Sequence, residues 1–299
     1  MDLLQLRYFR MVARTENITR VAEELRVAQP SLSRTITRLE SELGVPLFDR
    51  QGRRLRLNRF GTAFLARVDR ALDELDSARR ELADLAEEER GSVAVGAENL
   101  MVVQHVVADF VQAYPGVRVQ LFSGTTEQVV ARLTAGEIDL GLVSRPIAEP
   151  GIAVRELLDE EVLLAVSPRH RLANRDRVTV AELADEPFIT TSPDYWQRRV
   201  LDRVFCRAGL RPNIACEGDE PAAIRNLVAT GFGVGLLPSM ASEYPGPPVA
   251  WLHIDDVHCR RTLHVCWRED AYLPLAAGRF REMAAERFAR SQPGRPGPE

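Results

Sequence analysis

The sequence predicts an α/β protein: a small helical head, one long uninterrupted helix, and a body in which strands and helices alternate. Three observations carry that prediction. Residues 1–60 place apolar residues at helical spacing in three short runs. Residues 61–90 contain no proline and repeat an apolar residue every three or four positions. From Ser92 onward, short apolar runs take turns with helical patterns of about 10–15 residues, the rhythm of parallel α/β architecture.

Composition narrows the function classes. The 299 residues, 45% hydrophobic and 27% charged, fit a globular chain of about two domains. No stretch nears the ~20 apolar residues of a bilayer span, and Met1–Arg7 lacks the basic and apolar regions of a signal peptide. Four cysteines, at 206, 216, 259 and 266, do not make a disulfide framework, so a cytoplasmic protein is expected. The net charge of −4 is unevenly spread. Residues 1–60 carry 12 arginines against 7 acids, whereas residues 61–90 carry 5 against 9. A basic head on an acidic body suits a polyanionic partner.

In the head, Leu3, Leu6, Phe9, Val12 and Ala13 mark a first amphipathic helix. Asn17 is placed to cap a second over Ile18–Leu25, which turns inward Ile18, Val21, Ala22 and Leu25. The third begins at Gln29-Pro30, where proline fits a helix's first turn. Its stripe Leu32, Ile36, Leu39 and Leu43 is buried, so Ser31, Ser33, Arg34, Thr37 and Arg38 face out, hydroxyls interleaved with guanidinium forks. That face suits a DNA major groove, where arginine reads guanine bidentately. Two helices, a tight turn and a polar-faced third make a helix-turn-helix. Leu47 to Arg59 then alternates around a Gln51-Gly52 turn, which predicts a hairpin wing with Arg53, Arg54 and Arg56 against phosphates or a minor groove.

The run Ala22…Leu25…Gln29-Pro30-Ser31-Leu32-Ser33-Arg34…Ile36…Leu39-Glu40…Leu43-Gly44…Leu47-Phe48…Arg50 resembles the N-terminal signature of LysR-type transcriptional regulators. The likeness is close over about the first 60 residues, and the layout of the body extends it over nearly the whole chain. One departure is Ala28, where the family commonly has serine. Loss of that cap costs the recognition helix about 1 kcal/mol.

Within 61–90, Phe64, Val68, Ala71, Leu75, Ala78, Leu82 and Leu85 are spaced alternately four and three apart, a heptad seam that calls for a partner helix. The resemblance implies the same: a dimerising linker helix in a homodimer or homotetramer, reading a near-palindromic double-stranded DNA site. It also implies a bacterial regulator with RNA polymerase as a protein partner.

The expected body elements are strands at 92–97, 117–122, 138–143, 162–166, 188–190, 213–216 and 233–237. Helices are expected near 102–114, 125–135, 194–208, 222–230 and 275–288. In the family this pattern forms an effector-binding domain, residues 91–290, of two periplasmic-binding-protein-like lobes. Lobe I then covers about 91–161 and 268–290 and lobe II about 162–267, with crossings near 161–165 and 264–268. Residues 291–299, rich in proline and glycine, read as a disordered tail.

Other chemistry is weakly supported. Gly231-Phe232-Gly233-Val234-Gly235 follows a helix and opens a strand, the reverse of a dinucleotide fingerprint. His253, His258, Cys259, His264 and Cys266 lack metal-ligand spacing, and no nucleophile–base motif is legible, so neither metal, cofactor nor enzyme activity is expected. Peroxide-sensing members of the family carry a cysteine pair in this lobe. Phe205-Cys206-Arg207-Ala208-Gly209 resembles the segment of the second, but the first falls at Gln197, so Cys206 reads as a small buried residue and a thiol switch is not expected.

Two-lobed α/β receptors bind ligands at strand carboxyl ends, near helix N-termini. That nominates Glu98-Asn99-Leu100, Thr125-Thr126, Ser144-Arg145 and Thr191-Ser192 for a small-molecule effector. Arg145 and the threonines favour a carboxylate, while Glu98 repels one; a small polar effector bearing both a carboxylate and a cationic or hydroxyl group is therefore expected. The rival reading is an α/β solute-binding protein or enzyme with an accessory basic head.

Overall fold

A computed structural model describes residues 1–51, 54–86, 91–145 and 147–290. Gly52, Arg53, residues 87–90, Pro146 and the tail 291–299 lie outside the described residues, as do the side chains of Arg54 and Leu85. The chain divides into two compact units, Met1–Ala83 and Asp84–Glu299.

The first unit comprises α1 (Leu3–Thr15), α2 (Ile18–Leu25), α3 (Gln29–Leu43), the strands β1 (Phe48–Gln51) and β2 (Arg54–Leu57), and most of α4 (Arg59–Ala86). Local chemistry sets each boundary. Asp2 and Gln5 form a reciprocal capping box on α1, and Glu16 ends it in the left-handed region. Asn17 caps α2 through the Arg20 N–H at 3.1 Å, and Arg26, also left-handed, closes it. Ala28 makes no side-chain cap on α3, as its methyl group dictates. The wing is antiparallel, with Asp49 opposite Arg56. Glu40 anchors its start by accepting from Leu47 N (2.7 Å) and Phe48 N (3.2 Å), and Glu16 accepts from Leu57 N (2.9 Å).

Phe9, Val12, Val21, Leu32, Ile36, Leu39, Leu47 and Phe48 form the core of this unit. The seam of α4 is corrected here. Val68 is buried in that core, and Phe64 packs on Phe9 with ring centroids 5.2 Å apart. Leu72, outside the expected seam, is buried with them. Ion pairs Arg10–Asp73 (3.4 Å) and Arg14–Asp69 (3.1 Å) run alongside. The first half of α4 therefore packs on its own unit, and Ala71, Leu75, Ala78 and Leu82 remain exposed.

The second unit adds β3 (Ser92–Ala97), α5 (Gln104–Ala113), β4 (Arg118–Ser123), α6 (Thr126–Thr134), β5 (Leu140–Val143), β6 (Ile152–Val166), β7 (Arg177–Val178), β8 (Pro187–Thr191), α7 (Trp196–Arg207), β9 (Asn213–Gly218), α8 (Ala223–Ala229), β10 (Gly235–Pro238), β11 (Ala250–Ile254), β12 (Arg260–Arg268) and α9 (Leu275–Arg290). Strands β3, β4 and β5 are parallel, as are β8 and β9. The short β7 also pairs parallel with β11, but β6 departs from the expected parallel pattern: it pairs antiparallel with β12 along its first ten residues and with β10 and β11 along its last five. Two main hydrophobic clusters result. One gathers Val95, Val106, Phe110, Leu142, Leu263, Val265 and Phe280; the other Val162, Leu164, Phe188, Trp196, Phe205, Val234 and Leu252.

Strands β6 and β12 run through both halves. The expected second crossing at 264–268 moves upstream, because His264–Cys266 already pair with β5 and Leu263 lies in the first cluster. The glycine run at 231–235 is structural: Gly231 has φ +85°, and a Cβ on Gly233 would lie 2.4 Å from the Pro187 carbonyl oxygen.

Candidate functional site

The outer face of α3 is built as its sequence requires. With Leu32, Ile36 and Leu39 buried, the side chains of Gln29, Pro30, Ser31, Arg34, Thr37 and Arg38 are exposed and Ser33 half-buried. Among the described residues Arg34 donates only to the Pro30 carbonyl (3.3 Å), which leaves most of its guanidinium fork without a partner there. Arg38 pairs with Glu42 at 3.1 Å and must exchange that carboxylate to bind a phosphate or base. Arg56 is exposed on the wing.

A cavity of about 330 Å³ lies between the two halves of the second unit. Of the expected effector residues it is lined by Glu98, Thr126, Ser144 and Arg145. Glu98 is nearly buried, accepting from Ser144 N at 2.7 Å and from the Thr126 hydroxyl. Arg145 and, across the cleft, Arg199 both pair with Glu127, the latter at 3.4 Å. Partial burial raises the Glu127 carboxyl, but its own backbone N–H and Arg145 outweigh that and hold it below the usual carboxylate range.

The other expected positions lie outside the lining of this cavity. Asn99 turns away to accept from Met101 N at 2.9 Å, and Leu100 packs on the first cluster. Thr125 caps α6 in a box with Gln128. Thr191 is wholly buried, and the Ser192 hydroxyl donates to Asp219 at 2.6 Å. None of these five lines the cavity.

The opposite wall comes from residues that the sequence reading missed: Asp194, Trp196, Arg199, Val200 and Arg203 at the start of α7, and Arg260, Arg261 and Thr262 of β12. Arg261 and Glu160 form a buried ion pair across β12 and β6, with Nε to Oε1 at 2.7 Å. Glu160 also accepts from the Ser239 hydroxyl and Met240 N, both 2.9 Å, and Arg261 lies over the Trp196 ring at 4.6 Å. The signal for this wall was the charge complementarity of Asp159-Glu160-Glu161 and Arg260-Arg261, which fall opposite each other in register.

The thiols take no part in it. Burial pushes Cys259 and Cys266 up to about 12, and they donate to the carbonyls of Val162 and Gly141. Cys206, expected buried, is exposed on the last turn of α7, whereas Gln197 is buried. Among the described residues, no three His, Cys, Asp or Glu side chains converge as metal ligands, and no helix is long and apolar enough to cross a membrane.

Comparison with known proteins agrees with this division of the chain. Residues 3–62 match the model of the bacterial regulatory helix-turn-helix protein, lysR family, and residues 86–289 match the LysR substrate binding domain. The chain is 33% identical to the uncharacterized HTH-type transcriptional regulator YybE of Bacillus subtilis, over 97% of this chain and all of that one. It is 31% identical to the Hca operon transcriptional activator HcaR of Escherichia coli, over 97% and 99%. The crystal structure of CbnR, a LysR family transcriptional regulator, superposes with TM-score 0.64 at 25% identity, covering 97% of this chain and 99% of CbnR. A full-length OxyR variant from Pseudomonas aeruginosa shares the fold at TM-score 0.70 and 24% identity, covering 99% of each chain. These relatives are regulators, not enzymes, which sets aside the rival reading. A recognition helix on a basic head, a wing, and a cleft-bearing α/β body thus belong to one lineage: the chain is a member of the LysR family of DNA-binding transcriptional regulators, with an effector-binding domain behind its helix-turn-helix.

Proposed function

We propose that this regulator reads a near-palindromic DNA site as a homo-oligomer and that a small molecule held in the cleft of its second unit tunes that binding. The observation that carries the reading is the exposed Arg34 fork, flanked by Ser31, Ser33, Thr37 and Arg38 on a helix whose other face is locked in the core. Arg34, with Gln29 and Pro30 beside it, meets base edges, and Arg38 and Arg56, together with Arg53 and Arg54, neutralise phosphates. A related protein, CbnR, has been crystallised with its target DNA. The setting is the cytoplasm, with RNA polymerase as the further partner.

Gel-shift titration against DNA upstream of the protein's own gene tests this. Arg34→Ala is expected to cost about 1–3 kcal/mol at the preferred site and to relax preference at one or two base pairs. Arg56→Ala should weaken all sequences alike and lower the salt slope by about one. An Arg34→Ala protein with unchanged affinity and preference would remove α3 from the groove.

Exposed Ala71, Leu75, Ala78 and Leu82 keep the four-three-four spacing and supply the self-association stripe of α4. Leu75→Asp is expected to shift the protein toward monomer in sedimentation and to weaken site binding, with unchanged circular dichroism. A wild-type protein already monomeric at micromolar concentration would refute the stripe.

A further inference from the structure

The cavity of the second unit is balanced in charge but not paired. Five arginines line it: Arg145, Arg199, Arg203, Arg260 and Arg261. They face five carboxylates, Glu98 and Asp194 on the walls and Glu127, Asp159 and Glu160 as ion-pair partners. A ligand of large net charge would leave this balance unsatisfied.

Pairing within the set is uneven. Arg145 and Arg199 share Glu127, Arg260 holds Asp159, and Arg261 holds Glu160. Glu98, only 5% exposed, accepts from a backbone N–H and a hydroxyl and has no cationic partner among the described residues. Its two oxygens have about four acceptor positions, so about two stay open. On the opposite wall, Arg203 spends two N–H groups of Nη2 on the carbonyls of His258 and Arg260, both at 3.0 Å. It has no carboxylate partner among the described residues, and three of its five N–H donors remain. A buried acid without a cation and an arginine without an anion therefore flank one space, with Trp196 and Val200 as its apolar surface.

We infer that the effector is a small zwitterion of the amino-acid class, its ammonium group on Glu98 and its carboxylate on Arg203. This inference rests on the cleft being the effector site. It also reverses the sequence expectation that Arg145 and the threonines of the first half take the carboxylate: Glu98 occupies the Ser144 N–H and Thr126 hydroxyl from within, and Arg145 is committed to Glu127. The volume of about 330 Å³, at the small end for ligand sites, suits a molecule of that size.

The test is calorimetry and thermal shift on the full-length protein. The probes are the twenty protein amino acids and ornithine, the deaminated acid and the decarboxylated amine of each hit, and succinate and glutarate as dianions. At least one amino acid is expected to bind at millimolar concentration or tighter, with its acid and amine at least tenfold weaker. Glu98→Gln, whose amide oxygen can accept from Ser144 N while its amide nitrogen donates to the Thr126 hydroxyl, should weaken the amino acid at least tenfold and leave the matched acid no weaker than before. Arg203→Gln, on an exposed side chain, should weaken amino acid and acid but not the amine. Thr262→Trp, which fills the cavity, should abolish all of them. A dianion that outbinds every zwitterion, an amino acid indifferent to both Glu98→Gln and Arg203→Gln, or a panel with no binder overturns the inference. If the dianion's binding is lost in Thr262→Trp, the cleft still stands as the effector site and only the zwitterion falls. A hit that survives Thr262→Trp overturns the cleft itself.

Discussion

Glu160→Ala is expected to destabilise the second unit by about 3–5 kcal/mol. Arg261 and Glu160 are among the least exposed charged side chains of the unit, at 4% and 5%. Removing the carboxylate leaves a guanidinium in the interior with the Trp196 face and the Met240 sulfur as remaining neighbours. It also strips the Ser239 hydroxyl and the Met240 N–H of their acceptor. Replacing both partners by similar apolar volumes, Glu160→Leu with Arg261→Met, should recover the share of the loss that comes from the unmatched charge, while the Ser239 hydroxyl and Met240 N–H stay without their acceptor. Tryptophan fluorescence in urea measures this directly, since all three tryptophans, at 196, 251 and 267, lie in that unit. A Glu160→Ala protein unfolding within about 1 kcal/mol of wild type would mean that water reaches Arg261.

Phe9→Ala is the second large expected effect, about 3–5 kcal/mol on the first unit. Phe9 is fully buried and joins the wing to α4, with its ring centroid 5.7 Å from Phe48 and 5.2 Å from Phe64. Its loss should unseat α3 and abolish DNA binding while the tryptophan unfolding transition stays in place. Loss of DNA binding without loss of helical signal on mild heating would instead assign Phe9 a direct part in recognition. Phe64→Ala should act in the same way, unlike Leu75→Asp, because the two residues serve different interfaces.

That contrast shows where sequence reasoning works on this chain and where it stops. The head is legible because caps, turns and apolar spacing agree: Asn17, Pro30 and the Leu32–Ile36–Leu39 stripe each carry a local cause. The α4 seam is legible as apolar spacing but not as a destination. The spacing from Phe64 to Leu85 is uniform, and it is the acids Asp69, Asp73 and Asp76, meeting Arg14, Arg10 and Arg7, that mark the part that turns inward.

Strand β6 was half-read for a physical reason. Arg155, Glu156, Asp159, Glu160 and Glu161 look like a loop until β12 supplies Arg260 and Arg261 in register. The candidate cleft was half-read as well. Strand-end logic finds Glu98, Thr126, Ser144 and Arg145, but the second wall is a helix face and a shared strand, which that logic does not address.

Because β6 and β12 are each continuous through both halves, the second unit has no seam at which it can be cut. Expressing either half alone would end a strand in mid-ladder and expose a row of unpaired backbone groups beside apolar clusters, an invitation to aggregate. Reporter insertions and split-protein designs therefore belong in loops such as the one between β11 and β12, where Val257 is 81% exposed. The two strands also make the connection between the halves a pair of ribbons whose register shifts between Leu263 and His264, so a bend at that irregularity, and not a loop hinge, is the point at which the two halves can flex.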